Sequence, residues 1–177
     1  DALQENLAAL EGGAHAFSFA SGLAAAAVLV PALLRPGDRL VVSHDAYGGT
    51  HRLFGQVHTQ WGIEVTPVDF SDLEALAAEL EARPARVVWL ETPTNPLMNI
   101  ADIARVAEIA HANGGFLVVD NTFASPALQL PLSLGADAVV HSTTEYLGGH
   151  SDVIGGAIVL DDAEAAGGLA QPVGVHR

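Results

Sequence analysis

Segments able to bind a ligand follow the apolar runs of this chain, at points where buried strands would end. Ser21-Gly22 comes after the run His15–Phe19 and starts a helical pattern, so its backbone N–H groups are suited to binding a phosphate. An N-cap formed by the Ser21 hydroxyl is the structural alternative. Asp120 ends the run Phe116–Asp120, where a carboxylate needs a partner such as a protonated heterocycle. Its structural alternative is an N-cap of the next helix.

Two further segments occupy equivalent positions. Residues 45–50 follow the run Arg39–Ser43 and form a glycine-rich turn that contains Tyr47. Residues 91–96 follow another apolar run, and two prolines restrict the backbone there so that Asn95 projects at the end of the strand. A purely structural turn is the alternative for this segment. Because open parallel sheets bind ligands at the carboxyl ends of their strands, each segment is a candidate part of a ligand site.

Short apolar runs alternate with amphipathic stretches along the chain, and this alternation predicts an α/β fold. Some runs are apolar throughout, as in a mostly parallel sheet covered by helices. The predicted strands are His15–Phe19, Arg39–Ser43, Glu64–Asp69, Arg86–Leu90, Phe116–Asp120, Ala138–His141 and Ala157–Leu160. The predicted helices are Gly22–Leu34, Gly49–Trp61, Asp72–Ala82 and Ile100–Ala112. One core and one domain are expected, with a loose Ala/Gly-rich tail after Asp161.

The composition excludes several functions. All seven cationic side chains are arginines, so the chain has no lysine to form a Schiff base, and it has no cysteine to act as a nucleophile or metal ligand. The net charge of −14 argues against nucleic acid or an anionic membrane surface as a partner. The longest apolar run, Leu23–Leu34, is shorter than the roughly 18 residues of a membrane span. A cytoplasmic protein is therefore expected, since no signal-peptide pattern stands at its start.

A metal site is a weaker interpretation. His44, His141, His150 and Asp152 are possible ligands, but their spacing differs from that of ligands presented by one helix. No metal is therefore predicted.

Five motifs together resemble a known family. They are Ser21-Gly22, Tyr47-Gly48-Gly49-Thr50, the segment 91–96, Asp120-Asn121-Thr122-Phe123 and the segment 141–152. Their order and spacing resemble the Cys/Met-metabolism family of pyridoxal 5′-phosphate (PLP) enzymes, the transsulfuration enzymes of the cystathionine γ-synthase and γ-lyase type. The resemblance covers nearly the whole chain and implies the large domain of PLP fold type I, which is aspartate-aminotransferase-like, with PLP as cofactor.

The resemblance also implies a role for each matching residue. Ser21 begins the phosphate-binding segment, in which the backbone amides of Gly22 and Leu23 would bind the phosphate, although the family usually has Met at the second position. Ser142 and Thr144 would add hydroxyl donors to the same phosphate.

Three further residues would contact the pyridine ring. Tyr47 would stack on the ring and assist proton transfer, and it is the catalytic residue that the chain retains. Asp120 would keep the ring nitrogen protonated, and Asn95 would bind the phenolic oxygen.

The motif at residues 141–152 departs from the family at its reactive position. The family has Ser-x-Thr-Lys-Tyr-x-Gly-Gly-His-x-Asp, and this chain has Glu145 in place of the lysine that forms the Schiff base and moves protons. The resemblance therefore implies non-covalent PLP binding and severely impaired γ-replacement or γ-elimination. A non-catalytic subunit that keeps the fold and binds PLP is the alternative.

Further properties of the whole enzyme come with the resemblance. It implies that residues 1–177 are the large domain without the N-terminal arm and the C-terminal domain. It implies a lyase or transferase of methionine and cysteine metabolism, acting on sulfur amino acids or homoserine esters. The expected assembly is a homotetramer built as a dimer of dimers, without nucleic acid or membrane partners.

Overall fold

A seven-stranded sheet forms the centre of the computed structural model, which describes residues 1–173. The strands run in the order β1-β7-β6-β5-β4-β2-β3. Strands β3, β2, β4, β5 and β6 are parallel, whereas β7 is antiparallel to both β6 and β1. Their bounds are β1 His15–Phe19, β2 Arg39–Ser43, β3 Glu64–Val68, β4 Val87–Glu91, β5 Phe116–Asp120, β6 Ala138–Ser142 and β7 Gly156–Leu160.

Helices cover both faces of this sheet. They are α1 Ala2–Glu11, α2 Gly22–Leu33, α3 Gly48–Arg52, α4 Leu73–Ala82, α5 Ile103–Ala112, the short α6 Ser125–Leu128, and α7 Ala163–Val173. One apolar core joins α2 and α7 to the sheet, and a second core joins α4 and α5 to it. The mostly parallel α/β architecture predicted from the sequence is confirmed.

Strand β4 shows why the central strands lack a polar face. Val87 and Trp89 belong to the core under α2, while Val88 and Leu90 belong to the core under α4 and α5. Since successive side chains of a strand point to opposite faces, a strand covered on both sides must be apolar at every position. All five residues of β4 are buried, including Glu91 at its carboxyl end.

The prediction of a loose tail after Asp161 was wrong for residues 163–173, whereas the last four residues of that tail lie outside the described residues. Helix α7 begins at Ala163, and the side chains of Ala166 and Leu169 are buried in the core that contains α2. The abundance of Ala and Gly indicated a loop because those residues supply little apolar area. In the fold, however, their small size lets α7 pack closely against α2.

Helix α1 was not predicted, although its boundaries carry ordinary signals. The Asp1 side chain accepts a hydrogen bond from the Gln4 amide in a capping box, and Gly12 ends the helix in the left-handed region at a φ of 75°.

Two predicted helices differ in extent from the observed ones. The predicted helix Gly49–Trp61 divides into α3, a π-helical turn at Leu53–Val57 and a 3-10 turn at His58–Trp61. The predicted helix Ile100–Ala112 starts at Ile103, because the Asp102 side chain caps it by accepting from the Arg105 amide. The other predicted helix and strand boundaries lie within one residue of the observed ones.

The parallel strands β2, β4, β5 and β6 all end at one edge of the sheet. This edge carries the polar segments that the sequence singled out. Within residues 1–173, no helix is long and apolar enough to cross a membrane.

Candidate functional site

A cavity of about 300 Å³ lies at the carboxyl edge of the parallel strands, a volume at the lower end of the range for small-molecule sites. All nine residues predicted from the sequence line it. They are Ser21, Gly22, Leu23, Tyr47, Asn95, Asp120, Ser142, Thr144 and Glu145. The cavity is also lined by Glu91, Pro93, Thr122, Phe123 and Ile154. Segments that are far apart in sequence thus meet at one site, as expected for strand ends in an open sheet.

The amino end of α2 forms one end of the cavity. Ser21 is the N-cap, and its hydroxyl accepts a hydrogen bond of 3.0 Å from the Ala24 amide. The Ser21 hydroxyl therefore caps the helix, as the structural alternative predicted, and the next backbone amides of the helix remain available to a ligand. A Cβ at Gly22 would lie 3.0 Å from the Cα of Ser142, so glycine allows the helix start to approach β6 closely. The first N–H groups of a helix have no intrahelical acceptor, which suits this corner to an anion.

Asp120 and Ser142 are joined by a threonine. The hydroxyl of Thr122 donates to Oδ1 of Asp120 at 2.6 Å, and it accepts a bond of 2.9 Å from the Ser142 amide. The Thr122 amide also donates to the same carboxylate oxygen at 3.1 Å. Asp120 therefore fixes a turn after β5 and does not cap α6, whose N-cap is Ala124. Among the described residues, every hydrogen bond to this carboxylate uses Oδ1, which leaves Oδ2 for a ligand.

Glu91 is a site residue whose role the sequence did not predict. Its carboxylate accepts hydrogen bonds from the backbone amides of Tyr47 at 2.7 Å and Asn95 at 2.8 Å, one on each oxygen. One buried side chain therefore sets the positions of two cavity residues that come from different loops. The strand-end argument used for Asp120 applies equally to Glu91, which lies opposite Asp120 on the adjacent strand.

The two strand-end carboxylates influence each other. Burial and the nearby Asp120 carboxylate raise the pKa of Glu91 to about 8, although the hydrogen bonds from the Tyr47 and Asn95 amides act to lower it. Removal from water also raises the pKa of Asp120, although the hydrogen bonds from Thr122 favour its ionised form. A cationic ligand at this edge of the cavity would lower both pKa values, because its charge would favour the ionised form of each carboxyl group.

The ring of Tyr47 lies directly over a glycine. A Cβ at Gly49 would be 2.3 Å from Cε1 of that ring and 3.0 Å from a terminal methyl of Leu23. Tyr47 is 44 % exposed, so part of the ring is open to the cavity. This arrangement can present an aromatic surface to a planar ligand.

Glu145 lies in the segment of residues 143–155 that connects β6 to β7. Backbone contacts close this segment: the Thr143 amide donates to the Gly155 carbonyl at 2.9 Å, and the Gly155 amide donates to the Thr144 hydroxyl at 3.2 Å. In the part of the chain that the structure describes, the Glu145 side chain has no hydrogen bond or salt bridge. Its charge nevertheless acts on Asp120, whose pKa it helps to raise.

His141 has a structural contact on the far side of β6 from the cavity lining. Its Nε2 lies 2.5 Å from Oε1 of Glu11, and the same oxygen accepts a bond of 2.8 Å from the Asn121 side chain. Both His141 and Glu11 are fully buried or nearly so. Over residues 1–173, no group of three or more His, Cys, Asp or Glu side chains could hold a metal ion.

Taken together, the cavity can accept a flat, cationic heterocycle that carries an anionic group. The anion would meet the start of α2 and the hydroxyls near Ser142, and the heterocycle would lie between Tyr47 and Asp120. These properties fit PLP, except that an amine able to bind it covalently is missing, since the whole chain lacks lysine.

Comparison with known proteins gives the class of protein. Residues 1–173 match the family of Cys/Met metabolism PLP-dependent enzymes. The chain therefore belongs to this family, and its fold is the type I fold of PLP-dependent enzymes.

Individual relatives come from the transsulfuration branch. The chain is 55 % identical over 163 residues to cystathionine gamma-synthase from Mycobacterium tuberculosis, covering 92 % of this chain and 42 % of that protein. It is 47 % identical over 165 residues to cystathionine beta-lyase from Lactococcus lactis, covering 93 % of this chain and 43 % of that protein. A crystal structure of cystathionine gamma synthase from Xanthomonas oryzae in complex with cystathionine superimposes with a TM-score of 0.93 at 48 % identity, covering 97 % of this chain and 44 % of that one. The chain thus spans less than half the length of these relatives.

Proposed function

We propose that residues 1–177 correspond to the cofactor domain of a PLP-dependent transsulfuration enzyme of the cystathionine γ-synthase or γ-lyase type. The observation that carries the proposal is the convergence of Ser21, Tyr47, Asn95, Asp120 and Ser142 around one cavity. The substrates would be homoserine esters, cystathionine or related sulfur amino acids in methionine and cysteine metabolism. The working form would be a cytoplasmic homo-oligomer.

The phosphate would bind at the start of α2. The amides of Gly22 and Leu23 would donate to it there, where the helix field also favours a negative charge. Ser142 lies against Gly22, Thr144 also lines the cavity, and both would add hydroxyl donors. The Thr144 hydroxyl accepts a bond of 3.2 Å from the Gly155 amide, and its own bond to the Gly155 carbonyl is long, at 3.5 Å, so its proton would be given to the phosphate instead.

Three residues would hold the ring. Tyr47 would cover one face of it, while Oδ2 of Asp120 would accept a hydrogen bond from the protonated ring nitrogen. Asn95 would donate its side-chain amide to the phenolic oxygen, with its backbone held by Glu91. When bound, PLP supplies an electron sink that stabilises carbanion charge on the substrate.

With Glu145 in place of the family's lysine, the reaction would lack the amine that moves protons on the substrate. A carboxylate there can accept a proton but cannot form the covalent bond, and a positioned proton shuttle contributes roughly 10²–10⁴ in rate. We therefore propose that PLP binds non-covalently and that turnover is severely impaired. A second candidate function, favoured by Glu145 itself, is a non-catalytic subunit that retains the fold and the cofactor.

The test is a calorimetric titration of the 177-residue chain with PLP. Saturable binding is expected, and Ser142→Ala should weaken it about tenfold because one hydrogen bond to a charged group is lost. Ser133→Ala is the matched control, since Ser133 is exposed and its hydroxyl donates only to the Leu130 carbonyl. Absence of binding at roughly millimolar PLP, well above the affinity of a specific small-molecule site, would contradict the proposed function.

A further inference from the structure

Carboxyl groups supply the acidic charge of the cavity, and a bound cation would favour the ionised forms of Glu91 and Asp120, whose pKa values are raised in the folded chain. Glu91, Asp120 and Glu145 all line the cavity, and none of the lining residues that the structure describes is Lys, Arg or His. The chain as a whole carries a net charge of −14, so residues far from the cavity do not make its electrostatic potential positive. The cavity therefore favours ligands with positive charge on the part that lies away from the phosphate site.

The three carboxylates differ in what they already bind. Both oxygens of Glu91 accept backbone amides, and Oδ1 of Asp120 accepts two bonds from Thr122. The Glu145 carboxylate has no such bond within residues 1–173, and it is exposed at the cavity. In the proposed function Oδ2 of Asp120 accepts from the ring nitrogen, so Glu145 is the carboxylate left for a second cationic group of the ligand, which would break no existing contact.

We propose that this cavity binds the amine form of the cofactor, pyridoxamine 5′-phosphate, more tightly than the aldehyde form, PLP. The proposal rests on the proposed function, in which Glu145 occupies the position of the lysine that would bond to C4′ of the ring and would therefore lie near the C4′ substituent. The two forms share the phosphate and the ring, so Ser142, Tyr47 and Asp120 contact both equally. They differ at C4′, where the amine form carries an ammonium group and the aldehyde is neutral. Only the ammonium group can form an ion pair with Glu145.

The size of the preference follows from the exposure of Glu145. Fully exposed ion pairs contribute little, and pairs that are partly shielded from water contribute more. Because the bound ring would shield the pair partly from water, we expect a preference of roughly tenfold in Kd, which should shrink as ionic strength rises and screens the pair.

The experiment measures the affinity of the 177-residue chain for three ligands by calorimetry. These are pyridoxamine 5′-phosphate, PLP and pyridoxine 5′-phosphate, whose hydroxymethyl group has nearly the size of the aminomethyl group but no charge. The first should bind roughly tenfold more tightly than the other two. In the Glu145→Gln variant the three affinities should become equal within about twofold, because the carboxamide has the same shape and no charge.

A matched control separates a local effect from the net charge of the chain. Glu74→Gln removes an exposed carboxylate on α4, outside the cavity lining, and should leave the tenfold preference unchanged. Equal binding of all three ligands by the parent chain would overturn the inference while leaving the proposed function intact. A preference that persists in Glu145→Gln would also overturn it. Failure of all three ligands to bind would contradict the proposed function, and the inference with it.

Discussion

The two walls of the cavity hold their carboxylates in different ways. At the strand ends, Glu91 and Asp120 are fixed by hydrogen bonds to Tyr47, Asn95 and Thr122. The other wall is the 143–155 segment, which is closed by the bond from the Thr143 amide to the Gly155 carbonyl, and the Glu145 side chain takes no part in that bond. The strand ends therefore determine the shape of the site. Residue 145 can therefore change the chemistry with little effect on the fold.

The largest expected effect follows from changing that residue. The Glu145→Lys variant should fold normally and form a reducible C=N bond with PLP, since it supplies the primary amine that the chain lacks. Borohydride reduction followed by peptide mass analysis should place the adduct at residue 145. The parent chain should show no adduct on an internal residue, although the amino terminus itself can react. An internal adduct in the parent chain, or a misfolded variant, would contradict the conclusion that residue 145 determines the chemistry of the site without shaping the fold.

The next effect concerns the strand-end wall. In the Glu145→Lys background, Asp120→Asn should lower PLP affinity modestly and slow exchange of the substrate Cα proton by roughly 10²–10³, because the ring nitrogen loses its anionic partner. Nuclear magnetic resonance in heavy water measures this exchange, with Glu74→Gln in the same background as the control. If Asp120→Asn exchanged the proton as fast as its parent, Asp120 would serve only to fix the turn through Thr122.

The site was largely predictable from sequence because of how parallel strands are buried. A strand covered on both faces is continuously apolar, so the first polar residue after it marks the carboxyl edge of the sheet. Asp120 follows this rule, and the glycine at position 22 marks a helix start that must approach β6.

Contacts over long sequence separations were not predictable in this way. Glu91 accepts a hydrogen bond from the amide of Tyr47, which is 44 residues away in the sequence, and Glu11 contacts His141, which is 130 residues away. No local pattern specifies such a partner, because it is chosen by the packing of the whole sheet. The Ala/Gly-rich α7 was missed for the same reason: Leu169 is buried only because α2 lies beside it.

The smallest effect concerns the pH dependence of stability. The pKa of Glu91 rises from an ordinary 4.5 to about 8 in the folded chain, so the folded state binds the proton more tightly than the unfolded state. The stability that this proton contributes is fully present below pH 4.5 and is lost as pH rises through about 8. The free energy of unfolding of the cofactor-free chain should therefore fall over this range, by roughly 2–4 kcal/mol.

Urea unfolding at a series of pH values measures this loss. The quantity to compare between the parent chain and its variants is the change of the free energy of unfolding with pH. Glu91→Gln should flatten the dependence, even though its side-chain NH₂ cannot accept one of the two amide bonds and costs about 1 kcal/mol at every pH. Asp120→Asn should reduce the dependence partly, because it removes the neighbouring negative charge that raises the pKa of Glu91. Glu74→Gln should leave the pH dependence unchanged, because Glu74 is an exposed carboxylate outside the cavity.

An unaltered pH dependence in Glu91→Gln would mean that Glu91 is ionised throughout, held in that form by the Tyr47 and Asn95 amides. The strand ends would then carry two full negative charges, on Glu91 and Asp120, in addition to the charge of Glu145.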